Sequence, residues 1–135
     1  MWLENIENKQ IIKSIYKNKI PNINQVCVKE FNISTSESLT VILKFDIKEM
    51  PDDIPYKWKE NEVNTIEVIL SFINTEIKYI YFNNINYKTI SLNIDKLENG
   101  LKNITGKDNL GELIFELEAN WVYIKNIIGY HNTQD

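Results

Sequence analysis

The sequence predicts an α+β domain in which one N-terminal helix packs on a mostly antiparallel, curved or partly closed β-sheet of about seven strands. Apolar residues near the N-terminus recur at helical spacing, whereas those in the rest of the chain alternate with polar residues, as in half-buried strands. The segments between these stretches are too short for the crossovers that parallel strands need. The length of 135 residues suits one domain over residues 1–135.

The helix is predicted over residues 4–18. Ile11, Ile12 and Ile15 fall on one face of such a helix, and lysines fall on the opposite face. Pro21 excludes a longer helix, because the residue before a proline disfavours helical torsions.

Alternating apolar residues predict seven strands. In the first, from Val26 to Ser34, the parity of the apolar residues changes, which predicts a β-bulge near Lys29–Glu30. The second has the clearest alternation of the chain. The inward rows from the second strand onward are predicted to run from Leu39 to Ile47, Ile66 to Phe72, Ile77 to Tyr81, Ile90 to Ile94, Leu113 to Leu117 and Val122 to Ile124.

Two connections need separate interpretation. Asn74-Thr75-Glu76 is predicted to be a short turn. Residues 95–105 fit either a short helix, with Asp95 and Glu98 placed like a capping box, or a hairpin around Asn99-Gly100. The helix is the preferred interpretation.

The connector from Ile47 to Asn61 is the first candidate binding element. Pro51 and Pro55 fix two backbone torsions and remove two amide donors, so we expect no helix or central strand there. Aromatic residues beside paired acids are typical of binding surfaces. The candidate residues are Asp52, Asp53, Tyr56 and Trp58. Trp58 is expected to cover the end of the sheet, whereas the acids fit either a Pro-Asp turn or a partner contact.

A stripe of glutamates is the second candidate. Glu112, Glu116 and Glu118 share one parity on a predicted strand and should project from one face. This stripe fits a solvated sheet face, a docking surface for a basic partner, or an acid–base pair like that of glycosidases.

Composition restricts the classes of partner. Lysine supplies all 15 positive charges, and 19 acidic residues bring the net charge to −4. This balance argues against nucleic-acid binding and favours a basic protein partner. The most apolar stretch, Thr65 to Phe82, contains three charged residues, and the N-terminus does not resemble a secretory signal, so we expect a cytoplasmic protein without membrane contact.

Catalytic and metal-binding residue sets are missing from the sequence. Cys27 and His131 are each the only residue of their type, so we expect no intrachain disulfide, no metal and no cofactor. His131 is expected to lie in a frayed terminus. A monomer or weak homodimer is the expected oligomeric state.

Several short motifs, in order, resemble the immunity protein 50 family of bacterial polymorphic toxin systems. They span Trp2 to about Tyr130, nearly the whole chain. They are Trp2 before Ile6-Glu7-Asn8, Ile15-Tyr16, Ile20-Pro21-Asn22-Ile23, the alternation from Leu39 to Ile47, Pro55-Tyr56-Lys57-Trp58, Asn64-x-Ile66-x-Val68, and Ile128-Gly129-Tyr130. One departure is Asn24-Gln25, where many family members carry His-Asp.

The resemblance implies a non-enzymatic inhibitor that binds and neutralises a cognate toxin. Two alternatives follow from the residues themselves. A small-molecule-binding β domain would use Tyr79, Tyr81 and Tyr87 and would need an enclosed apolar cavity. A carboxylate-dependent hydrolase would use the glutamate stripe and would need a groove.

Overall fold

The computed structural model describes residues 1–83 and 89–133. Within these residues, six strands form one antiparallel sheet that closes into a barrel in the order β1-β2-β3-β6-β5-β4. The strands are β1 (Val26–Ser34), β2 (Thr40–Ile47), β3 (Thr65–Ile80), β4 (Thr89–Lys96), β5 (Lys102–Lys107) and β6 (Leu113–Tyr130). A 3-10 helix (Trp2–Asn5) and two short α-helices, α1 (Gln10–Ile15) and α2 (Tyr56–Glu60), complete the described structure.

The antiparallel sheet and its apolar rows agree with the sequence. The bulge in β1 is confirmed by a register shift between Val28 and Glu30. The interior of the barrel is filled by alternate side chains, which include Val41, Leu43, Phe45 and Ile47 of β2 and Ile66, Val68, Leu70 and Phe72 of β3. These rows form one core with residues of the N-terminal segment.

The prediction of seven strands is wrong: β3 and β6 each join two predicted strands, and β5 is a strand that the alternation did not predict. Asn74 adopts a left-handed conformation with φ of 52°, which bends β3 without ending it. The Thr75 hydroxyl donates a hydrogen bond of 2.8 Å to the carbonyl of Phe72 and stabilises this bend. Opposite the bend, β6 joins the two strands predicted at Leu113–Leu117 and Val122–Ile124.

The helix preferred for residues 95–105 is also wrong. These residues contain the hairpin between β4 and β5, closed by a hydrogen bond of 2.8 Å from the Leu97 amide to the Leu101 carbonyl. Gly100 has φ of 88°, a conformation that glycine adopts at little cost and that a helix would not allow. The turn signal of Asn99-Gly100 is therefore stronger here than the helix-capping pattern of Asp95 and Glu98.

The single helix predicted over residues 4–18 is divided into the 3-10 helix and α1. The Glu7 amide donates to the Val122 carbonyl at 2.9 Å. The Asn8 side chain donates to the carbonyl of Ile124 at 2.8 Å and accepts from its amide at 2.7 Å. Since β5 pairs with β6 only as far as Ala119, this segment takes the place of a neighbouring strand beside Val122 and Ile124. These bonds explain why the backbone between the helices is not helical.

The expectation of no helix in the connector needs correction. Tyr56–Glu60 forms α2 directly after Pro55. The proline ring fixes a torsion that suits a residue preceding or starting a helix, so Pro55 limits where the helix begins without preventing it.

Four polar residues on the outer face connect four strands, and we call them the charge clamp: Lys29, Asp46, Glu67 and Tyr130. Asp46 and Glu67 are register partners, and both are nearly buried. The Lys29 ammonium lies 2.6 Å from Glu67 Oε2 and 3.7 Å from Asp46 Oδ1. The Tyr130 hydroxyl donates to Asp46 Oδ2 at 2.5 Å, and its ring lies 4.8 Å from Lys29 Nζ. Asp46 and Glu67 carry the same charge and face each other, so their repulsion would destabilise the sheet if Lys29 were not there.

The clamp changes the pKa of two of its members. Burial raises the pKa of Tyr130 to about 12, and the hydrogen bond to Asp46 and the charge of Asp46 contribute to the rise. For Lys29, burial acts to lower the pKa, but the hydrogen bond to Glu67 and the charges of Asp46 and Glu67 outweigh it, so the pKa is raised. Both groups therefore hold their protons more tightly in the folded state.

Asn8→Ala should lower the free energy of unfolding by about 1–3 kcal/mol, because the amide and the carbonyl of Ile124 lose their partner together. Urea denaturation measures this loss. Asn18→Ala, at an exposed position, is the control and should stay within about 0.5 kcal/mol of wild type. Equal stability of the two variants would contradict the role given to Asn8.

Tyr130→Phe should lower the free energy of unfolding at pH 7 by roughly 1.5–3 kcal/mol, because Asp46 loses a hydrogen bond to its carboxylate. The raised pKa of Tyr130 stabilises the fold fully below pH 10, and this contribution is lost as the pH rises from about 10 to about 12. The variant should therefore lose less stability than wild type over that interval. An unchanged profile for Tyr130→Phe would refute the clamp.

Candidate functional site

Carboxylates of three strands on the outer surface of the sheet form the first candidate site. Register partners place Asp95 of β4, Asn103 of β5, Glu118 of β6 and Glu76 of β3 in one row across the sheet. The next row contains Thr105, Glu116 and Tyr79. We call Glu76, Asp95, Glu116 and Glu118 the acidic face. Its four carboxylates come from three strands, although the sequence pattern indicated one strand alone.

One lysine is part of this face. Lys78 Nζ lies 3.3 Å from Glu76 Oε1 and 3.5 Å from Glu118 Oε2, so it bridges two carboxylates. These contacts, with the hydrogen bond to Glu76 the largest cause, raise the pKa of Lys78. Asn103 Nδ2 donates to Glu116 Oε2 at 2.9 Å and holds that carboxylate in place. Four carboxylates and one ammonium leave the face with a charge of −4 + 1 = −3.

Glu112 lies outside the rows of the acidic face. It precedes β6, and its amide donates to Asp108 Oδ1 at 3.0 Å in the turn after β5. The side chain is exposed at the margin of the sheet. Of the predicted glutamate stripe, the structure thus brings together Glu116 and Glu118.

The connector residues occupy a different part of the molecule. Trp58 is half-buried and packs on Gly129, where an added Cβ would lie 2.6 Å from the indole ring. It covers the end of the sheet, as expected. Asp52, Asp53 and Tyr56 are all exposed, and Asp53 forms an ion pair of 3.5 Å with Lys17. Tyr56 and Asp52 therefore remain free to meet a partner.

The two candidate sites are too far apart for one contact of ordinary size. Glu116 and Gly129 are 129 − 116 = 13 residues apart on β6. At about 3.3 Å per residue, that is roughly 40 Å along the strand. A typical partner covers about 800 Å² of each protein, a patch roughly 30 Å across. The acidic face and the connector are therefore alternative surfaces.

Sequence analysis missed two exposed aromatic residues beside the acidic face. Trp121 is 42% exposed, and Tyr123 is 40% exposed. A signal was present, because both residues alternate with the buried Val122 and Ile124. Their outward orientation follows from that alternation.

Cavities and ionisable groups limit the alternative functions. A groove of about 230 Å³ lies where β1 diverges from β4, lined mainly by Val28, Phe31, Phe82, Ile90 and Ile114. Tyr79 and Tyr81 are exposed, and Tyr87 lies outside the described residues.

In residues 1–83 and 89–133, no cluster of three or more side chains suits a metal ion. His131 Nδ1 lies 2.8 Å from the carbonyl oxygen of Glu62, which joins the C-terminal segment to the connector.

Hydropathy gives no membrane-spanning helix among the described residues.

No curated protein and no solved structure matches the chain. The model of the family described as Immunity protein 50 matches residues 8–130, nearly the whole length. The resemblance seen in the sequence motifs is thereby confirmed. The chain belongs to the immunity protein 50 family.

Proposed function

We propose that this protein binds a cognate bacterial toxin domain and neutralises it by protein–protein contact in the cytoplasm. Membership of the immunity protein 50 family carries this proposal. The acidic face adds a chemical reason, since a surface with a charge of −3 attracts a basic protein and speeds its approach. Inhibition then results from covering the toxin, with no cofactor and no covalent step.

The acidic face is the preferred docking surface, with Glu116 and Glu118 at its centre. Lys78 and Asn103 hold these two carboxylates in fixed positions on a rigid sheet, so little side-chain entropy is lost on binding. Glu112 lies at the margin, where it would contribute through long-range attraction. In the connector, Asp53 forms a surface ion pair with Lys17.

Two other functions have less support. Ligand pockets commonly have volumes of about 300–1,000 Å³. Such pockets enclose most of their ligand, whereas the barrel interior is filled by the core and the grooves on the described surface, of about 230–540 Å³, are open to solvent. A glycosidase-like acid–base pair requires a groove around the scissile bond, whereas Glu116 and Glu118 lie on the outward face of the sheet.

Co-purification tests the proposal. The toxin domain encoded next to this gene, inactivated by mutation, should form a complex with the protein at micromolar or lower concentration. The complex should survive moderate salt, because apolar contacts as well as charges hold it. Failure to form any complex at micromolar concentration would contradict the proposed function.

A matched pair of charge variants tests the docking surface. Glu116→Gln/Glu118→Gln and Asp52→Asn/Asp53→Asn each remove two negative charges, so they change the net charge equally. The first should slow association roughly 3- to 10-fold and weaken its salt dependence, because the charges nearest the partner are lost. The second should stay within about 2-fold of wild type.

Stopped-flow association at several salt concentrations measures both effects. Thermal melts of the same variants should agree with wild type within the small changes expected at the surface. If the connector variant is slowed and the β6 variant is not, the toxin docks on the connector.

A further inference from the structure

A groove of about 430 Å³ lies on the outer surface of β2, β3 and β6, beside the acidic face. Ile42, Ile73 and Tyr123 supply its apolar walls, and Lys125 lies at its rim. Ser71 is nearly buried in its floor. We call this feature the anchor groove.

The groove exists because one small residue stands between two large ones. Ile42 pairs with Ser71, and Ser71 pairs with Tyr123, so the three side chains form a row across β2, β3 and β6. A serine between an isoleucine and a tyrosine leaves space that a larger side chain would fill. In the neighbouring position, Ile73 pairs with Trp121 and extends the apolar wall.

Tyr123 in the groove and Trp121 beside it are residue types typical of protein-binding hot spots. Tryptophan and tyrosine are the residues most enriched in such spots, where they surround a pocket that accepts a side chain of the partner. Trp121 and Tyr123 are 42% and 40% exposed on the outer surface of β6. A rigid sheet holds both, so an entering side chain would meet a preformed site.

Continuity with the acidic face identifies the partner. Tyr123 of the groove follows Glu118 by five residues on β6, or roughly 17 Å along the strand. A patch roughly 30 Å across would cover the anchor groove and the carboxylates together. A surface with apolar pockets beside a charge of −3 complements a protein that is basic around a projecting apolar side chain.

We infer that the anchor groove receives a large apolar side chain of the toxin domain, while the acidic face contacts basic residues around it. This inference rests on the proposed function. The carboxylates set the rate of approach, and the groove sets the lifetime of the complex.

Ser71→Ile tests the inference by filling the groove. The side chain points outward, and a β-branched residue suits a strand, so the variant should fold with an unchanged or higher melting temperature. It should raise the dissociation rate of the inactivated toxin domain at least 30-fold, with the association rate within about 3-fold of wild type. Ser91→Ile, at an outward position of β4, is the matched control and should bind like wild type.

Tyr123→Ala gives a second, opposite change, since it removes a wall and fills nothing. It should raise the dissociation rate roughly 10-fold or more. Tyr56→Ala, which removes an exposed tyrosine of the connector, should change it less than 3-fold. Surface plasmon resonance measures all four variants.

The outcomes separate this inference from the proposed function. If wild type does not bind the toxin domain, the proposed function fails and the inference fails with it. If wild type binds, and Ser71→Ile and Tyr123→Ala bind equally well, the inference alone is overturned. It is also overturned if sedimentation shows a dimer of the free protein that Ser71→Ile abolishes without affecting the toxin, because a second copy then occupies the groove.

Discussion

Strands β3 and β6 pair from Thr65 and Tyr130 to Ile80 and Phe115, and the barrel depends on this ladder. β2 pairs along the first half of β3, whereas β5 pairs along the first half of β6. The ladder of β3 and β6 therefore joins the part of the sheet that contains β2 to the part that contains β5. Bulges and the left-handed Asn74 give the ladder the bend that closure requires. Without that bend, the unpaired edges of both strands would remain open to other chains.

The same ladder arranges the surface. Its distal end, away from the charge clamp, carries Glu76, Glu116 and Glu118. Its middle carries Trp121 and Tyr123 beside Ser71. Charge and apolar area therefore lie next to each other on one rigid face, as in protein interfaces whose charged rim surrounds an apolar centre. At the other end, the charge clamp and Trp58 are engaged in contacts within the molecule. Since the charge clamp and Trp58 are occupied by contacts within the molecule, the distal half of the ladder is favoured as the docking surface.

Sequence patterns predicted what depends on local alternation. The rows of β2 and β3, the bulge at Lys29 and the outward parity of Glu116 and Glu118 all follow from a period of two. The continuity of β3 and β6 was not predictable, because the residues on both sides of Asn74 are held in one strand by pairing with β6, which lies far away in the sequence. The place of Glu76 and Asp95 in the acidic face was also not predictable, nor was the anchor groove, because both depend on the register between strands that are distant in the sequence. Glu112 was misplaced, because the strand begins one residue after it.

Hydrogen–deuterium exchange of the protein with and without the inactivated toxin domain tests the central claim most directly. The account predicts slower exchange in the distal halves of β3 and β6, around Ser71–Ile80 and Glu116–Tyr123. Exchange in the connector, from Ile47 to Asn61, should stay as in the free protein. Protection confined to that connector, with the distal halves of β3 and β6 unchanged, would contradict the account.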